Sequence, residues 1–182
     1  MSKTGVPLPG LRSPAVGFEQ PFEMLEACHE RVHRSLDLLR RIVAHIETKG
    51  HDEQSRSALG DVLRYFDIAG PLHHQDEELH VFPTLLMHPD GLVREAVAQL
   101  KDEHVLMYRL WSELRQVLLH WQGAADAGAV TEVERRLVND FVTSYERHIP
   151  LEEAVAYPAA RDEFSAADLA RIGTEMATRR RG

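Results

Sequence analysis

Apolar residues recur at helical spacing in four long stretches. Phe22, Leu25, His29, Leu36, Leu39 and Val43 share the inner face of a first helix, expected from 21 or 22 to about 49. Leu59, Val62, Leu63, Phe66, His73, Glu77 and Phe82 trace a second, over 53–87, with Gly70-Pro71 expected to kink it. Val93, Val97, Leu100, His104, Trp111, Leu114 and Leu118 mark a third over 92–121. Leu137, Phe141, Tyr145, His148, Glu152 and Val155 mark a fourth over 131–159. Ser165 and Asp168 look like a capping pair that opens a short fifth helix ending near Arg179. Residues 1–21 hold four prolines and three glycines and read as an extended arm. The pattern predicts an all-α chain: an up-down-up-down four-helix bundle over 22–160, the arm over 1–21, and a short helix with a basic tail over 161–182.

The inward faces carry an anomaly. His29, His73, Glu77, His104, His148 and Glu152 all fall on core positions. His73 and Glu77 are four apart, so on a helix they stand one above the other. A shift of 75 residues repeats the arrangement: His73 maps to His148, Glu77 to Glu152, Phe82-Pro83 to Tyr157-Pro158, and His29 to His104. The chain therefore reads as two copies of one helix pair. In antiparallel neighbours, residues equidistant from a turn lie at one height. The midpoints of His29/His73, His73/His104 and His104/His148 fall at 51, between 88 and 89, and at 126, each beside an independent turn signal. All four histidines then share a layer, with Glu77 and Glu152 one turn away.

Two ionised carboxylates in an apolar core are costly unless paired or metal-bound. Four imidazoles and two carboxylates suit two iron or manganese ions, each taking two His, with both Glu bridging; the absence of thiolates argues against an iron–sulfur cluster. Open coordination positions on such a pair would accept dioxygen, nitric oxide, peroxide or water. A structural metal such as zinc is a weaker alternative.

Composition narrows the setting. The net charge of −8 disfavours a nucleic-acid partner, and Arg179, Arg180 and Arg181 read as a solvated end. No apolar run reaches membrane-spanning length, no signal peptide is visible, and Cys28 is the only cysteine. A cytoplasmic protein without intrachain disulfides is expected. Cys28 is expected to be a buried inert thiol and His80 a core or pocket-mouth residue. Glu78 and Glu153 are expected to be solvated neighbours, and His45, His51, His74, His88 and His120 to lie on the surface.

The blocks Cys28-His29-Glu30, His73 to Pro83, Glu103-His104, and His148-x-x-x-Glu152-Glu153 with Tyr157-Pro158 resemble the hemerythrin-like, HHE cation-binding family over about residues 20–160. The resemblance implies a non-haem centre of two iron ions bridged by oxo or hydroxo. It also implies roles from dioxygen binding and sensing to nitric oxide or peroxide handling and repair of damaged iron centres. A binding or sensing module is the leading expectation, and an enzyme using the same site is the alternative; no catalytic residue and no redox partner is assigned. The chain departs from the oxygen carriers at one point. They place a second His four residues after the third-helix His, where this chain has Tyr108. Tyr108, and its repeat mate His33, are expected as hydrogen-bonding neighbours of the metals or as extra ligands.

Overall fold

The computed structural model describes residues 17–124 and 128–181. Among them it contains helices and no strand. Helix α1 is Pro21–Lys49. Helix α2 spans 53–85 as Glu53–Arg64, Gly70–Asp76 and Phe82–Leu85, joined by π turns over Tyr65–Ala69 and Glu77–Val81. Helix α3 is Gly91–Gly123. Helix α4 spans 132–163 as Glu132–Leu151 and Tyr157–Glu163, joined by a π turn over Glu152–Ala156. Helix α5 is Ala166–Arg179.

Cross-helix contacts give the topology. Glu47, Arg40 and Glu26 of α1 meet Arg135, Glu146 and Arg161 of α4. Arg56, Asp67 and Glu78 of α2 meet Gln122, Arg115 and His104 of α3. In both series one number rises as the other falls, so both pairs are antiparallel, as expected of an up-down-up-down bundle. Gly50, at φ +80°, ends α1 by donating to the Ile46 carbonyl at 2.8 Å, a conformation that favours glycine. Asp52, Thr131 and Ser165 each open a helix through a reciprocal capping box, which satisfies amides that the helix cannot. The expected turns at 51 and 88–89 are present. The centre of the third, 126, lies outside the described residues, as does the arm over 1–16.

The kink expected at Gly70-Pro71 appears as a π turn, and two further π turns were not expected. All three share a cause. Pro71, Pro83 and Pro158 each stand two residues beyond the last residue of a π turn. Proline offers no N–H, and its ring clashes with the carbonyl four residues back. In each case the preceding residue bonds five residues back instead: Gly70 to Tyr65, Phe82 to Glu77, and Tyr157 to Glu152. The widened turn relieves the crowding and lets the helix continue. Two of these turns begin at Glu77 and Glu152.

The core is apolar at both ends and polar in the middle. One cluster holds Leu39, Leu59, Leu114, Leu118, Trp121 and Phe141. The other holds Phe22, Leu25, Phe82, Leu85, Leu100 and Tyr157, and also takes Ile172 and Met176 from α5. His29, His73, His104 and His148 fall at the border between the two clusters on α1 to α4. Helix α5 is fastened near this layer by charge. Asp76, 1% exposed, takes Arg179 on Oδ1 at 2.5 Å and Arg180 on Oδ2 at 2.6 Å. This corrects the reading of Arg179 and Arg180 as part of a solvated end, because a buried carboxylate needs them; Arg181 is exposed. The α5 face is also fitted to the chain before α1, because a Cβ on Gly173 would lie 1.7 Å from the Phe18 carbonyl oxygen.

Gly173→Val should therefore loosen α5 and cost about 1–3 kcal/mol of stability, seen as a lower denaturant midpoint. Gly60→Ala is the control. Its Cβ would meet only the side-chain end of Gln122, at 3.1 Å, so higher helix propensity should leave stability unchanged or raised by up to ~1 kcal/mol.

Candidate metal centre

The layer brings together all six residues expected from the repeat. His29, His73, Glu77, His104, His148 and Glu152 are each no more than 2% exposed. Their donor atoms form two overlapping sets: His29, His73, Glu77 and Glu152, and Glu77, His104, His148 and Glu152, each within 4.8 Å. The carboxylates belong to both. Glu77 presents Oε1 to His73 Nε2 and Oε2 to His104 Nε2, each at 3.5 Å. Glu152 presents Oε2 to His29 Nε2 at 3.1 Å and Oε1 to His148 Nε2 at 2.8 Å. Each carboxylate thus gives one oxygen to each histidine pair, the arrangement that two bridged cations require.

The hydrogen-bond accounting fits cations as well. Glu77 Oε2 and both oxygens of Glu152 are buried without a hydrogen bond, although imidazole nitrogens lie beside them. The facing atoms do not align as donor and acceptor. Buried carboxylate oxygens left so would cost several kcal/mol in total, at about 1–3 kcal/mol each, and cations between the two histidine pairs would satisfy them.

Exposed-edge carboxylates set the imidazoles. His29 Nδ1 lies 2.8 Å from Glu153, His104 Nδ1 2.8 Å from Glu78, and His148 Nδ1 2.9 Å from Glu103. An N–H at each Nδ1 donates outward and leaves the Nε2 lone pair facing the centre. Glu78 and Glu153 are half-exposed, yet the expectation of mere solvated neighbours misses this role.

Three other expectations resolve differently. His74, expected on the surface, is 2% exposed and stacks on His104 at 3.9 Å, with neither ring nitrogen hydrogen-bonded. It forms a third cluster with His104 and His148. The signal was its three-residue distance from Glu77, since i,i+3 neighbours share a face as i,i+4 neighbours do. His33 is exposed and joins none of the clusters among the described residues; at four residues it turns about 40° past His29, and Val32 takes the inward place. This corrects its expected place beside the metals. Tyr108 is 42% exposed and sets its ring edge on His74 at 5.5 Å, and its hydroxyl has no hydrogen bond among the described residues. The phenol that does reach the centre is Tyr157, 1% exposed: its hydroxyl donates to Glu77 Oε1 and lies 3.2 Å from His29 Nε2. Its repeat mate Phe82 packs on His104 without a hydroxyl.

A cavity of about 20 Å³ lies between α2 and α3 among Phe66, His74, Met107, Tyr108, Trp111 and Tyr145. It has room for one water-sized molecule, which needs about 10–15 Å³. The larger grooves, of about 400 and 510 Å³, are lined by none of the candidate ligands.

The family model for the hemerythrin HHE cation-binding domain matches residues 20–160. The chain belongs to that family. A protein of Haemophilus influenzae, described only as uncharacterised, is 30% identical over 163 residues, covering 90% of this chain and 91% of that one. Membership in the HHE family implies cation binding, and the buried histidine and glutamate clusters are fitted to it.

Protonation of the centre couples it to pH. His73 and His74 are driven well below the ordinary imidazole value by burial, so they are neutral and ready as ligands. Burial pushes His148 down too, but Glu152 and Glu103 outweigh it and raise it to about 9; His29 is raised likewise against burial by Glu152 and Glu153. Burial and the Glu152 charge push Glu77 well up. A folded value raised above the unfolded 6.5 gives stability that is complete below 6.5 and is lost as pH climbs through about 9. The metal-free chain should therefore lose thermal stability between those limits. Metal uptake should strengthen over the same range, since His148, His29 and Glu77 must shed protons to bind. Glu103→Gln should weaken metal binding by about 10–100-fold while leaving the helical circular dichroism intact.

Proposed function

We propose that this HHE-domain protein holds two iron ions and uses them to bind or sense a small ligand such as dioxygen or nitric oxide. The observation that carries the reading is the division of oxygens: Glu77 and Glu152 each serve both histidine pairs. Oxygen and nitrogen donors without thiolate suit iron or manganese, with zinc as the alternative. Iron bound there would supply open coordination positions and electrons to a diatomic ligand. The chain's own residues hold the rest of the function. Glu153, Glu78 and Glu103 orient three of the imidazoles. Tyr157 places a hydroxyl at the inner edge of Glu77. The two apolar clusters keep bulk water from both ends of the layer.

Ligand size follows from access. The only cavity against a candidate ligand among those described is the small one at His74, which suits a gas or peroxide and not a larger organic substrate. That favours binding, sensing or small-molecule turnover over oxidation of an organic molecule. No described helix is long and apolar enough to cross a membrane, and the free thiol of Cys28 suits a reducing cytoplasm.

Elemental analysis of the chain reconstituted anaerobically with ferrous iron should find about two ions per chain. His73→Ala and His148→Ala should each lower that number sharply, because each removes a nitrogen from a site with few spare donors. Nitric oxide added to the ferrous form should change its absorption and paramagnetic resonance spectra. Full metal occupancy in both variants would overturn the ligand assignment; unchanged spectra would overturn the gas-binding role.

A further inference from the structure

The two halves of the centre share their ligands but not their surroundings. On the His104/His148 side, His74 adds a third buried imidazole, and the donor atoms of the three lie within 4.8 Å. Both nitrogens of His74 are buried and unpartnered. Stacking on His104 accounts for the ring's position but leaves those nitrogens unsatisfied. On the His29/His73 side the residue that corresponds by the 75-residue repeat is Ile149, a buried core side chain with no donor.

That second side carries an obstacle instead. The Tyr157 hydroxyl donates to Glu77 Oε1, the oxygen that faces His73. It also lies 3.2 Å from His29 Nε2, the nitrogen that faces the centre. A cation entering there must displace the second contact and share or displace the first. The other side also has a contact to give up, since His104 Nε2 lies 3.1 Å from His148 Nε2, but it has no hydroxyl: Phe82 fills the corresponding place.

We propose that the centre loads in order: a first divalent transition-metal ion is taken by His74, His104 and His148, and a second, weaker ion by His29 and His73 beside Tyr157. This rests on the dinuclear reading above. Once His148 has shed its proton and His74 has turned out of its stack on His104, the three imidazoles form a complete donor set for one borderline ion, as in the three-histidine sites of zinc enzymes. The first ion then engages Glu77 Oε2 and Glu152 Oε1, which lie on its side, and fixes both carboxylates for the second. The later-filled position has fewer protein nitrogens.

Cobalt(II) titration of the metal-free full chain under anaerobic conditions tests this, read by calorimetry and by visible absorption. Two steps are expected, the first at least tenfold tighter. His74→Leu, close in volume, should weaken the first step at least tenfold, so that the two steps merge. It should not lower the stability of the metal-free chain, because it removes unsatisfied buried nitrogens. Tyr157→Phe removes one hydroxyl and keeps the ring; it should tighten the second step several-fold and leave the first unchanged. Two indistinguishable steps in the natural sequence would overturn the order while the dinuclear reading stands. An unchanged first step in His74→Leu, or an unchanged second step in Tyr157→Phe, would do the same. Uptake of no cobalt at all would overturn both.

Discussion

Two carboxylates at zero exposure, Glu77 and Glu152, are the constraint to which the rest of this bundle answers. An isolated ionised carboxylate in a low-dielectric interior is prohibitively expensive, so it must be protonated, paired or bound to a cation. Without metal the chain divides these remedies. Burial and the neighbouring charge hold Glu77 toward its neutral form, with Tyr157 donating to it. Glu152 stays ionised: burial opposes this, but His148 and His29 beside it prevail. Cations in the centre would replace both remedies at once. The metal-free fold is therefore a workable state and not a collapsed one, with protons standing where ions would stand.

The remedy extends outward in layers. Imidazoles held beside Glu152 need their own outward partners, and Glu153 and Glu103 at the bundle edge supply them. Those edge groups stay partly solvated, so their charge costs little while it still orients the rings. One residue before Glu77, Asp76 is buried as well, and the two arginines that end α5 neutralise it. The short helix is thus tied to the same turn of α2 that carries the centre. None of these partners is visible as such in the sequence, because charge pairs across helices leave no periodic signature.

Periodicity and repetition revealed the rest. Core-facing His and Glu residues, recurring after 75 positions around independently marked turns, located six buried residues and the antiparallel order of four helices before any contact was known. The failures have definite geometric causes. His74 stands about 100° round the helix from His73, yet a face packed between two neighbours is wide enough to admit it. His33 and Tyr108 lie toward the edge because Val32 and Met107, one residue before each, take the inward places. The π turns went unforeseen because hydropathy does not encode them. The recurring prolines mark them, since Pro71, Pro83 and Pro158 each follow a π turn at the same distance, although Pro150 sits in ordinary α-helix without one.

Where the two halves agree and where they differ follows one logic. A carboxylate that bridges must treat both cations alike, so Glu77 and Glu152 match across the repeat, as do the histidines that face them. Groups outside the bridge are under no such demand, and each mismatch lies there. Cys28 corresponds to Glu103, and the consequence is visible: His148 Nδ1 has its carboxylate, while His73 Nδ1 is buried without a hydrogen bond. Ile149 corresponds to His74, and Phe82 to Tyr157. These pairs leave one half rich in imidazole and the other equipped with a hydroxyl and a less constrained histidine. A symmetric bridge inside asymmetric surroundings offers cations two positions on unequal terms, one ringed by imidazole and one beside a hydroxyl.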